Sequence, residues 1–147
     1  MKLASAFLLS FLFTATLPAG GTLDEARAEP NLEKRSALAL DNAVAALRDL
    51  RAAYNAGDLQ KCKTKAAEVE DSVELAYVSL QQTGKDPRRS PKWFKHAEIQ
   101  SDELVRNIQA VQHDMSFEDR PLLDKTRERV EQIHDNLLTG LMGGKKK

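Results

Sequence analysis

Four stretches of this chain set apolar residues alternately three and four positions apart, and that spacing limits the fold more than any other feature. The cleanest runs Leu59, Cys62, Ala66, Val69, Val73, Ala76 and Leu80 without an error. A second runs Phe94, Ala97, Ser101, Leu104, Ile108, Val111 and Met115, with Ser101 its one polar member. Leu40, Ala43, Leu47, Leu50 and Tyr54 make a third, and Leu123, Thr126, Val130, Ile133 and Leu137 a fourth. A period of 3.6 residues brings such positions onto one face of an α-helix. A helix of ~24 residues cannot hide a one-sided apolar stripe by itself, so the four stripes are expected to turn toward one another. The predicted fold is all-α, an antiparallel up-down four-helix bundle.

The breaks between stripes carry helix-ending chemistry. Asn55-Ala56-Gly57-Asp58 offers a left-handed Gly after one helix and an Asp cap for the next, which predicts a tight hairpin. In residues 83–91, Gly84 is a stop, Ser90 a cap and Pro91 a first helical residue whose missing N–H costs nothing. Ser116 and Asp119 have capping-box spacing before Pro121, and Gly140, Gly143 and Gly144 follow the last stripe. Helices are therefore expected at about 32–55, 59–82, 91–114 and 119–139, in a domain of residues 29–140 with a frayed basic tail at 141–147. Tetratricopeptide-like helical hairpins are the alternative fold, because Ala53-Tyr-Asn-Ala-Gly-Asp58 resembles the turn of that repeat. A second copy is missing at the ~34-residue interval it requires. Alanines 37, 39, 43, 45, 46, 52 and 53 surround the first helix with small side chains and favour close helix approach, on two sides.

Ahead of the stripes, Lys2 precedes a run of residues 3–17 that no acid or base interrupts, the pattern of a secretory leader. The run is shorter than the ~20 residues of a spanning helix, and Pro18, Gly20 and Gly21 break it. Residues 1–28 are expected to be a signal peptide cut after Ala28, where Ala26 and Ala28 are spaced as small-x-small; cuts after Ala19 or Gly21 are the rivals. The mature protein would then be exported, periplasmic or extracellular, with no transmembrane helix. The absence of a Cys behind the apolar run excludes a lipoprotein anchor.

With 22 basic and 22 acidic side chains the net charge is zero, which excludes binding of nucleic acid by bulk positive charge. Any anion site must be local, and residues 85–95 supply the candidate: Lys85, Arg88, Arg89, Lys92 and Lys95 against one acid, Asp86, with Trp93, the single Trp, among them. Cations beside aromatic rings at the start of a helix suit a phosphate, a lipid headgroup or an acidic glycan. The structural reading of the same residues is a solvated loop leading into Phe94 on the apolar stripe.

Glu131-x-x-His134 has the spacing that places two metal ligands on one helix face, but the di-iron bundle chemistry needs a second such pair, and neither His96 nor His113 supplies it. No metal and no cofactor is predicted, and covalent haem is excluded because Cys-x-x-Cys-His is absent. Cys62, the lone Cys, falls on a stripe and is expected to be buried as a small hydrophobe. Ser residues lack a Gly-flanked elbow and Cys62 has no neighbouring His, so no catalytic residues are assigned.

Taken together, the leader, the Gly57-Asp58 hairpin and Thr83-Gly-Lys-x-Pro-Arg-Arg-Ser-Pro-Lys-x-Phe-Lys95 resemble an uncharacterised family of small exported bacterial helical-bundle proteins. That resemblance covers most of the mature chain and implies no activity. The expectation is a non-catalytic exported protein that contacts another envelope protein or acts as a scaffold. The alternative is a binder of an anionic envelope polymer or lipid headgroup through residues 85–95.

Overall fold

In the computed structural model, residues 22–144 are described. The expected leader run of residues 3–17 and the last three lysines lie outside them. A short helix α1 (Leu23–Ala28) precedes four longer ones, α2 (Leu32–Asn55), α3 (Leu59–Gln82), α4 (Pro91–Asp114) and α5 (Asp124–Met142), and a single 3-10 turn (Arg120–Leu123) leads into α5. The protein is an all-α helical bundle.

Each boundary has a local cause. Asn31 Oδ1 accepts from Lys34 N at 2.9 Å and Asp58 Oδ1 from Lys61 N at 3.0 Å, which caps α2 and α3. Gly57, at φ 76°, turns the chain between them. The last helix departs from expectation at both ends. Asp119 receives Ser116 Oγ at 3.0 Å and Tyr54 Oη at 3.0 Å, so it is held by a cross-bundle bond and caps no N–H. Pro121 is accommodated in the 3-10 turn. At the far end Gly140 stays inside the helix, and Gly143 in the left-handed region stops it, so residues 141 and 142, expected in the tail, are helical.

Consecutive helices run in opposite directions, but they are not all neighbours. α2 packs on α3 and α4 on α5 as antiparallel hairpins, while α2 lies beside α4 and α3 beside α5. Those last two pairs run parallel: Arg51 meets Asp114, both at C-terminal ends, and Lys125 and Arg129 meet Glu70 and Glu74 in rising order. α3 and α4 are therefore diagonal. The hairpin pairing is that of the tetratricopeptide alternative, with helices of 24 residues that exceed what a ~34-residue repeat holds.

The four stripes meet inside except at their ends, where Leu59, in the first turn of α3, is 40% exposed and Tyr54 is half-buried. Leu40, Leu50, Val69, Val73, Leu80, Leu104, Ile108, Val130 and Ile133 are at most 2% exposed, each worth ~1.5–3 kcal/mol in transfer from water. Ala39, Ala43 and Ala46 are buried at the α2 interfaces, where α2 meets α1, α3 and α4. Ser101, the polar member of its stripe, donates to Ala97 O at 2.7 Å, and Ser72 and Ser79 bond back one turn in the same way.

Residues 22–28, which the sequence reading places in the leader, form α1 and its N-cap, with a capping box between Thr22 and Glu25, and Ala26 is completely buried.

Candidate functional site

Because α3 and α4 are diagonal, their link has to cross the end of the bundle, and residues 83–90 do so in a fixed path. Asp86 Oδ1 accepts from Arg88 N at 2.9 Å, and Asp86 O accepts from Arg89 N and Ser90 N, folding the link on itself. Pro87 lies over α5, close enough that a carbon added at Gly140 would sit 3.4 Å from Pro87 Cγ. Arg88 lies across Gly143, where an added carbon would meet Nη1 at 3.0 Å. A guanidinium there lies at the C-terminal turn of α5, where the helix dipole favours a cation.

The six predicted residues divide by what they touch. Lys85 Nζ binds Glu33 Oε1 of α2 at 2.6 Å and so ties the link to the first hairpin. Arg88 is engaged with α5 and, at 3.8 Å, with Asp86. Arg89, with 89% of its side chain exposed, has among the described residues only Asp86 at 3.9 Å. Lys92 Nζ stands 5.0 Å from the Trp93 ring centre, a cation–π pair, and the His96 ring meets Trp93 edge-on at 6.1 Å. Trp93 is half-buried against the core, and Phe94 behind it is buried. Lys95 is exposed and has no carboxylate within 4 Å among the described residues. An open recess of about 360 Å³ between Glu33, Lys85, Ser90, Pro91, Lys92 and Trp93 brings three of the six together. Arg89 and Lys95 stand outside it, as charges on its surroundings.

Elsewhere, residues singled out by sequence have structural roles. His134 Nε2 lies 3.0 Å from Glu98 Oε1 and its Nδ1 3.3 Å from Asp135 Oδ1, which joins α5 to α4. Glu131 is occupied by Arg127 at 3.6 Å. Cys62 is fully buried, and its Sγ donates to Leu50 O at 3.5 Å. Burial pushes the thiol pKa up, and the Asp58 charge adds to this.

Two surface depressions had no signal in the stripes. A cleft of about 560 Å³ between α3 and α5 is lined by Glu70, Asp71, Glu74 and Glu128, and Lys125 and Arg129 cross it to Glu70 and Glu74. A smaller one of about 210 Å³ lies between α2 and α4, where Val44, Leu47, Leu104 and Val111 are rimmed by Arg48 and Arg51. Both follow from the parallel pairing of like helices, which sequence spacing does not encode.

Among the described residues, no helix is long and apolar enough to cross a membrane. Comparison of the chain with protein-family models, with curated proteins and with solved structures finds no match.

Proposed function

We propose that the chain is an exported, non-catalytic helical-bundle protein of the cell envelope, and that its working surface is the basic pole, which takes an anionic envelope ligand. The observation that carries this reading is the crossing of residues 83–90 over the bundle end into the first turn of α4, which gathers the basic residues of 85–95 at one pole. Lys85 pairs with Glu33 and Arg88 packs against Gly143, while Lys92 and Trp93 line an open recess with Lys85, and Arg89 and Lys95 are exposed outside it. A wide, open surface of this kind suits a repeating anion, a layer of lipid headgroups or an acidic glycan, better than one enclosed small molecule. Attraction of exposed charges is long-ranged at low salt and screened within ~8 Å at physiological ionic strength.

Trp93, the single Trp, provides the readout, since its fluorescence reports on this pole alone. Titration with vesicles containing phosphatidylglycerol, and separately with an acidic glycan, should change its emission at low salt, whereas neutral vesicles should not. The combined change Arg89→Ala, Lys92→Ala and Lys95→Ala should lower apparent affinity at least tenfold with no loss of stability. Absence of any response to either anionic probe at low salt would end this reading.

Contact with a partner protein is the second reading, favoured by the α2–α4 cleft, where Val44 is 41% exposed beside Arg48. An acidic amphipathic helix is the chemistry that cleft would accept.

A further inference from the structure

Given export, on which this inference rests, we infer that the leader is removed at the Gly21–Thr22 bond, so that α1 stays in the mature protein as its first helix. The Ala28 bond satisfies the small-x-small rule, yet a cut there would remove a folded element. Thr22 Oγ1 accepts from Glu25 N at 3.2 Å, and Glu25 Oε2 accepts from Thr22 N at 3.0 Å, a reciprocal cap that begins at Thr22. Four residues later Ala26 is completely buried, and α1 packs on α2 and α3. Arg27 shares a recess with Leu75 and Val78 of α3. Beyond the helix, Arg35 Nε donates to Glu29 O at 2.8 Å and fixes the turn into α2.

The Gly21–Thr22 bond meets the same peptidase rule, with Ala19 and Gly21 as its two small residues, and it directly follows the apolar run and Pro18. Its hydrolysis, with water as the co-reactant, frees the carboxylate of Gly21 and the α-amino group of Thr22. The amino group already has its counter-ion: the nitrogen of Thr22 is the one bonded to Glu25 Oε2. A positive charge at a helix start opposes the helix dipole, and a carboxylate 3.0 Å away offsets that cost. A cut after Ala28 provides no such partner on α1, because α1 is gone.

The test is N-terminal sequencing and intact-mass measurement of the full chain recovered from the periplasm or medium of a secreting bacterial host, with two variants. The expected first residue is Thr22. Gly21→Arg should accumulate uncut precursor, whereas Ala28→Arg, at an exposed position, should leave the processed form starting at Thr22. A mature chain beginning at Glu29, or processing that is blocked by Ala28→Arg and tolerates Gly21→Arg, overturns the inference. A start ahead of Thr22 overturns the bond assigned. A chain that keeps Met1 and stays in the cell overturns the export reading instead, and is told apart by its location and mass.

Discussion

Asn42 of α2 donates one amide nitrogen to two groups of α3, Ser72 Oγ at 2.9 Å and Glu68 Oε1 at 3.2 Å, so a buried amide joins the two helices of the first hairpin. Lys65 completes the group at 2.8 Å from Glu68 Oε2, with Asp49 at 3.7 Å on its other side. Asn42→Ala should destabilise the protein by ~1–3 kcal/mol, because it leaves buried polar groups without a donor. Urea unfolding monitored by circular dichroism gives the value, and a loss well under 0.5 kcal/mol would contradict the role.

The same group sets a pH dependence. Burial pushes the Glu68 carboxyl pKa up, but hydrogen bonds from Lys65 and Asn42 outweigh it and hold the value below the ordinary 4.5. A pKa depressed by folding contributes stability that is present above the unfolded value and lost as pH falls through the folded one. Lys65 is raised from 10.5, first by its hydrogen bond to Glu68, with burial opposing, so its contribution is present below 10.5 and lost as pH rises past the folded value. The urea midpoint should fall on the acid side of 4.5 and again above 10.5. Glu68→Gln should flatten both limbs relative to the parent protein.

Ile108 is completely buried where α4 faces the rest of the bundle, and Ile108→Ala should cost ~2–5 kcal/mol. Ile99→Ala on the same helix, where the side chain is 49% exposed, should cost well under half as much. Chemical denaturation of the two variants side by side separates burial from helix propensity, which changes equally in both.

Two glycines with nearly the same backbone angle should respond differently to alanine. Gly57, at φ 76°, has open space around a new side chain, and Gly57→Ala should cost only the ~1–2 kcal/mol of a left-handed alanine. Gly143, at φ 75°, would bring its new carbon within 3.0 Å of Arg88 Nη1, so Gly143→Ala should cost the same and in addition displace Arg88. A greater loss of stability in urea for Gly143→Ala than for Gly57→Ala would report that displacement, and equal losses would refute it.

Cys62 should resist thiol reagents in the native protein, since it is buried and its raised pKa keeps it protonated at neutral pH. Labelling should become complete only in denaturant. Rapid modification under native conditions would place the sulfur at the surface.

The long helices were legible because their signals are local. The run from Cys62 to Leu80 states its own face, and Gly57 and Pro91 state where the chain must turn, whereas Ser90, expected as a cap, stands at the N-cap position of α4 without a side-chain cap bond. The start of α5 was less so: Asp119 looks like a cap in sequence, but Tyr54, 65 positions earlier, takes its carboxylate. The order of helices around the bundle was not legible, because any arrangement that turns the stripes inward satisfies the same spacing. For the same reason residues 85–95 could be recognised as a basic segment, while the division between bound Lys85 and Arg88 and exposed Arg89 and Lys95 depends on Glu33 and Gly143, which the link reaches only by crossing the diagonal.

That diagonal link bears on how the two halves of the molecule stay together. Each hairpin closes by itself, and residues 83–90 are the only covalent bridge between them. Removing three or four residues of the bridge should disfavour its folded crossing between opposite corners, so that the second hairpin completes the bundle of a neighbouring chain. Such a shortened chain should elute as an exchanged dimer, with helix content unchanged.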